Sequence, residues 1–173
     1  MEISFKQQKN LAKEKQYDFF IKQLNTLIKD ENDVISILAN TSAALHETFE
    51  FFWVGFYVVK DKELRLGPFQ GNVACTHIKY GHGVCGSAWA KKETLLVPDV
   101  EQFPGHIACS SLSRSEIVIP LFVNNKVYAV LDIDSKEKNA FDNIDKKYLE
   151  NICNILESTL NEIHKQKQMC EII

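Results

Sequence analysis

No stretch of this 173-residue chain approaches the roughly 18 apolar residues of a membrane helix. The opening Met-Glu-Ile-Ser-Phe-Lys also lacks the form of a signal peptide, so a cytosolic location without membrane contact is expected. No charge of one sign dominates. The formal net charge is −3, which offers nucleic acid no basic field, and the lysines gathered near Lys6–Lys15 and Lys165–Lys167 read as solvated helix faces. No internal repeat, low-complexity tract or linker interrupts the sequence, which predicts one domain over residues 1–173. Cysteines number five, an odd count, and cytosolic thiols are kept reduced, so a structural disulfide framework is not expected. Catalysis, redox cycling and metal binding remain.

Glycine is scarce too, with seven in all, yet five of them lie between Gly71 and Glu116. The same stretch holds Cys75, Cys85 and Cys109, with His77, His82 and His106. Cys109, in Phe103-Pro104-Gly105-His106-Ile107-Ala108-Cys109-Ser110-Ser111, follows Gly-His and precedes serines, the composition of a mobile polar loop. A thiol there is reachable and able to react, which makes Cys109 the expected nucleophile with Cys75 and Cys85 placed to resolve it.

Around that stretch the apolar period changes twice. Residues 10–29 and 33–46 read as amphipathic helices, the second capped by Asp33, with His46 serving its terminus. Residues 51–60 and 64–69 alternate as a hairpin closed by Asp61-Lys62; Val73–Ile78 and Thr94–Val97 read as further strands. Alternation places Trp53, Gly55 and Tyr57 on one face, with Phe52, Val54, Phe56 and Val58 on the other. Trp53 and Tyr57 read either as core or as the walls of a recess floored by Gly55. Gly81–Gly86 is expected to be a tight loop opening a short helix, Ser87–Lys91, whose N-terminus would lower the pKa of a nearby thiol. Its glycine spacing matches no phosphate or dinucleotide motif. Ser115–Val123 and Lys126–Ile133 form a second hairpin across Asn124-Asn125, and a helix over about residues 141–165 closes an α+β domain with a mainly antiparallel sheet. Cys153 falls by that helix's apolar stripe as a packed thiol, and Cys170 in a frayed polar tail.

Two constellations carry chemistry. The cysteines are spaced far wider than zinc-knuckle pairs, which favours redox cycling over a zinc site built from these three cysteines and three histidines. Asp132 and Asp134 share a face at a strand end, about 7 Å apart at the α-carbons, and Glu116 on the partner strand is able to face them. Such a cluster at a sheet edge is either a solvated acidic turn or the seat of a cation, such as the ammonium group of a small ligand.

Gly83-Val84-Cys85-Gly86, Pro98-Asp99-Val100, the Phe103–Cys109 string, Ser115-Glu116-Ile117-Val118-Ile119-Pro120 and Leu131-Asp132-Ile133-Asp134-Ser135 together resemble the free methionine-(R)-sulfoxide reductases, a catalytic branch of the GAF-domain proteins. The resemblance runs from about Tyr17 to Leu160. It implies a GAF-like fold, a central six-stranded mainly antiparallel sheet flanked by N- and C-terminal helices, and a homodimer. It implies Cys109 as catalytic cysteine, Cys75 as principal and Cys85 as auxiliary resolving cysteine, and Trp53, Tyr57, Glu116, Asp132 and Asp134 around free methionine sulfoxide. Ser110 departs from the Asp that commonly follows the nucleophile in that family. The implied reaction needs no metal or organic cofactor, and thioredoxin reduces the resulting disulfide. A non-catalytic GAF-type sensor of a small ligand or redox state is the alternative.

Overall fold

A computed structural model describes Phe5, residues 10–105 and residues 111–170, with side chains as far as residue 166. The elements are α1 (Lys13–Ile28), α2 (Val34–Phe49), β1 (Trp53–Lys60), β2 (Glu63–Gln70), β3 (His77–Lys79), α3 (Gly83–Lys91), β4 (Leu95–Val97), a 3₁₀ turn (Val100–Gln102), β5 (Ser115–Val123), β6 (Lys126–Ser135) and α4 (Asn143–Cys170). The strands pair antiparallel in one six-stranded sheet, ordered β3-β2-β1-β6-β5-β4. Both anticipated hairpins are present. Asp61 and Lys62 have φ of 52° and 65°, and Asn124 and Asn125 have 51° and 61°. Consecutive left-handed residues make the tight turn whose twist matches that of the strands it joins.

Period-two alternation divides the sheet into two packed faces. Val54 and Phe56 of β1 join Ile117 and Ile119 of β5 and Leu131 and Ile133 of β6 against Phe20, Leu45, Leu149 and Leu156 of the long helices. The opposite face gathers Trp53 and Tyr57 with Val118 and Val130 beneath Val84, Cys85 and Ala88 of α3. The Asp33 side chain caps α2 by accepting from Ser36 N at 2.7 Å. The first and last helices are clasped together: Asp145 accepts from Tyr17 Oη at 2.9 Å and from Lys13 Nζ at 2.7 Å. No helix among the described residues is long and apolar enough to cross a membrane.

Several expected boundaries shift. The N-terminal helices occupy 13–28 and 34–49 rather than 10–29 and 33–46, and the last helix runs from Asn143 to Cys170, so Cys170 lies within a helix and not in a frayed tail. The strand expected over 73–78 is reduced to His77–Lys79, paired with β2. Phe52 precedes β1 and packs beside Trp53 instead of joining the Val54 face, because alternation starts only where the strand does.

The expected loop at 81–86 is a helix from Gly83 onward. Gly86 lies where a Cβ would run into the Lys79 carbonyl oxygen, so this helical turn passes against the end of β3 with no room for a side chain. Gly86→Ala is expected to lower stability by about 1–3 kcal/mol, the range for forcing atoms into a packed site. It should also raise the alkylation rate of the neighbouring Cys85 in the native protein. An unchanged urea midpoint would show that α3 yields freely.

Candidate active site

Three elements deliver the acidic cluster. In register, Glu116 of β5 lies opposite Asp134 of β6, while Asp132 lies opposite Gly55 of β1 and Val118 of β5. Trp53 lies opposite Asp134 from the other side. All these residues therefore share the α3 face. The carboxylates do not stand at a sheet edge, as their sequence suggested. β6 is flanked by β1 and β5 in the middle of the sheet, so the cluster is roofed by α3 rather than bathed in water. That removes the solvated-turn alternative: Glu116 and Asp132 are each 6% exposed.

Cys85, in the first turn of α3, is 3% exposed, and its thiol donates to Glu116 Oε1 at 3.7 Å. Burial first, and then the charges of Asp132 and Glu116, push this thiol well above its ordinary range. The lowering expected from the helix N-terminus is thus reversed; a partial helix charge does not compensate full desolvation beside carboxylates. Burial likewise raises Glu116 and Asp132 well above the usual carboxylate range; Asp132 and Asp134 add to the shift of Glu116, while Asp134 adds to that of Asp132 against hydrogen bonds with Cys85 and Glu116. Burial pushes Asp134 up only to about 6, against a hydrogen bond from Ser113 that favours its charged form. Among the described residues, no lysine or arginine forms an ion pair with any of the three.

Trp53 and Tyr57 are buried and stacked, 5.9 Å between ring centroids. The floor read at Gly55 is occupied. Trp53 lies across it and stacks on Phe69 at 5.4 Å, and a Cβ on Gly55 would meet Phe69 Cβ and, at 2.8 Å, Trp53 Cη2. Glycine here makes room for the indole, which in turn forms the aromatic wall. Trp53 Nε1 donates to Asn72 O at 3.0 Å and Tyr57 Oη to Cys75 O at 3.1 Å, so both rings hold the segment that carries Cys75. Cys75 is disulfide-bonded, whereas Cys85 and Cys153 are free and buried. Cys109 and Ser110 lie outside the described residues. The 3₁₀ turn on the approach to Cys109 is held down by Asp99, which accepts from Glu101 N at 3.2 Å and from Lys138 Nζ at 2.7 Å.

Ser113 and Phe69 were not anticipated. Ser113 touches Asp134 across a loop-to-strand contact that no local spacing announces; Phe69 could have been found by pairing it with Gly55, its neighbour across the β1–β2 ladder. The other described residues named from the sequence, Trp53, Tyr57, Cys75, Cys85, Glu116, Asp132 and Asp134, are brought to one side of the sheet.

A small antiparallel sheet with helices on one face and a buried polar site beneath a short helix on the other defines an α+β ligand-binding module. The GAF domain family profile matches residues 29–161, and the chain belongs to that family. Its similarity extends to the free methionine-R-sulfoxide reductase branch. The Escherichia coli protein named free methionine-R-sulfoxide reductase is 44% identical over 80% of this chain and 85% of its own length. GAF domain-containing protein A of Dictyostelium discoideum is 55% identical over 85% of this chain and 94% of its own. The Neisseria meningitidis free methionine-R-sulfoxide reductase, solved in complex with its substrate, superposes with a TM-score of 0.87 at 48% identity, covering 91% of this chain and 95% of that one.

Proposed function

We propose that this chain is a thiol-dependent oxidoreductase that reduces free L-methionine-(R)-sulfoxide to methionine. The observation that carries this reading is the trio of carboxyls beside aromatic rings, Glu116 and Asp132 buried and Asp134 half-buried, with no protein cation paired to it among the described residues. A ligand ammonium fills that need, and the rings accept an apolar stem. The names of the relatives supply the substrate.

The Cys109 thiolate attacks the sulfoxide sulfur while Glu116, held protonated by burial, supplies the proton that the oxygen needs. The oxygen ends on the Cys109 sulfur as a sulfenic acid and methionine departs with two electrons gained. Cys75, as principal resolving thiol, or Cys85, as auxiliary, condenses with the sulfenic acid and releases water. Thioredoxin then exchanges the disulfide back to thiols. The proposal includes a homodimer acting in the cytosol. The decisive assay incubates the protein with dithiothreitol and each resolved epimer of free methionine sulfoxide and follows methionine release. Release from the R epimer is expected; saturable binding without release would make the chain a sensor instead.

Two consequences are measurable. Cys75→Ser should lose most thioredoxin-driven turnover and keep most dithiothreitol-driven turnover, because a small dithiol reaches the sulfenic acid directly. Equal losses with both reductants would remove Cys75 from the resolving role.

Asp134 must be anionic to hold the ammonium. Its pKa of about 6 predicts that KM falls as pH rises towards that value, by up to about tenfold per unit, and levels above it. The effect on stability has the opposite sign: a carboxyl whose pKa is raised by folding binds its proton better in the native state, so its contribution is present at low pH and lost as pH rises through about 6. Asp134→Asn should flatten the KM profile and raise KM at pH 8 by about one to two decades, the worth of a charge-assisted hydrogen bond. Parallel profiles for both proteins would assign the clamp to other groups.

A further inference from the structure

Cys85 Sγ, a Glu116 carboxylate oxygen and an Asp132 carboxylate oxygen lie within 4.8 Å of one another, and all three residues are buried. They come from α3, β5 and β6, so the rigid parts of the fold hold them together. The 3.7 Å between Cys85 Sγ and Glu116 Oε1 is close to the edge of a tetrahedron about a zinc-sized ion, roughly 3.6 Å for bonds of about 2.3 Å to sulfur and 2.1 Å to oxygen. A separate feature points to a missing occupant. Asp132 Oδ1 is buried without a hydrogen-bond partner among the described residues, and a lone acceptor in such a place is costly.

The donor set narrows what that occupant can be. An ammonium pairs with the carboxylates but gains nothing from a sulfur. Magnesium and calcium take oxygen ligands, so the sulfur would be wasted on them. One thiolate with two carboxylates suits a borderline divalent transition cation, with the fourth position left to water.

We propose that, without substrate, the protein binds one zinc-type divalent cation through Cys85, Glu116 and Asp132, and that this cation reversibly blocks the enzyme. The block rests on the proposed seating of the substrate ammonium against the same carboxylates. Cys85 gives up its thiol proton, and Glu116 and Asp132 their carboxyl protons, to solvent as the bonds to the metal form, and no oxidation state changes. This set differs from the cysteine–histidine zinc site that the sequence disfavours, since two of its three ligands are carboxylates and none is a histidine.

Cobalt(II) is the probe, added to the full-length protein with the Cys75 disulfide intact. One equivalent should bind and produce a sulfur-to-cobalt charge-transfer absorption in the near ultraviolet. Cys85→Ser should abolish that absorption, and Cys153→Ser should leave it unchanged. Asp132→Asn and Glu116→Gln, checked for folding by circular dichroism, should each weaken binding at least about tenfold, as loss of a ligand requires. Free methionine should displace the ion.

No absorption in the wild type, an absorption kept by Cys85→Ser, or unchanged affinity in both carboxylate variants would overturn the site. An absorption that survives saturating methionine would overturn the block. Turnover of methionine-(R)-sulfoxide is measured in parallel on chelator-treated protein. Full turnover without a cobalt signal defeats the metal proposal alone; a cobalt signal without turnover defeats the proposed function alone.

Discussion

Cys109→Ser is expected to reduce methionine release by on the order of a thousandfold or more with either dithiothreitol or thioredoxin, the scale on which removing a covalent nucleophile acts. A serine hydroxyl stays protonated at neutral pH and does not accept the sulfoxide oxygen in a form that a thiol resolves. Binding is a different matter. The carboxylates and rings remain in this variant, so free methionine should still bind with wild-type affinity, measured by calorimetry. The pairing of lost turnover with retained binding separates a nucleophile from a residue that merely holds the loop in place. Wild-type activity in Cys109→Ser would transfer the role to another thiol. Cys85 would be poorly equipped for it, since burial and two carboxyls keep it protonated.

The second large effect concerns the ligand. N-acetyl-methionine sulfoxide keeps the sulfoxide and the stem and lacks the ammonium. Seating it leaves Glu116, Asp132 and Asp134 crowded without a cation, two of them almost wholly removed from water. A site built to pair a polar group rejects an analogue that lacks it far more strongly than a hydrophobic pocket rejects a missing methylene. The acetylated R epimer should therefore show a kcat/KM at least about a hundredfold below that of the free amino acid. Comparable values would place the ammonium outside the acidic cluster and favour an enzyme that accepts methionine within a peptide.

What could be read without coordinates followed the range of the physics involved. The hairpins at Asp61-Lys62 and Asn124-Asn125, the Asp33 cap and the alternation of Trp53, Gly55 and Tyr57 depend on near neighbours, and each is present. The alignment of Asp132 with Asp134 was legible for the same reason. Their position in the middle of the sheet was not, because it depends on β6 entering between β1 and β5. The helix at Gly83 was hidden by its own glycines. Gly83 and Gly86 lower helix propensity and read as a loop, while the packing of α3 over the sheet overrides them. The raised Cys85 thiol pKa was hidden in the same way, since its desolvation comes from strands distant in sequence.

The insertion of β6 between β1 and β5 has a consequence for how the site comes into being. Trp53 and its partner Asp134 are separated by almost half the chain, and β2, β3, α3, β4 and β5 are all synthesised between them. Pairings this distant carry a large loop-closure cost and slow the search for the native state. Until β6 docks, a nascent chain holds Glu116 and the aromatic pair on strands with no shared neighbour. The acid trio therefore appears in a single late event, and a chain halted before Asp132 has no partial version of it.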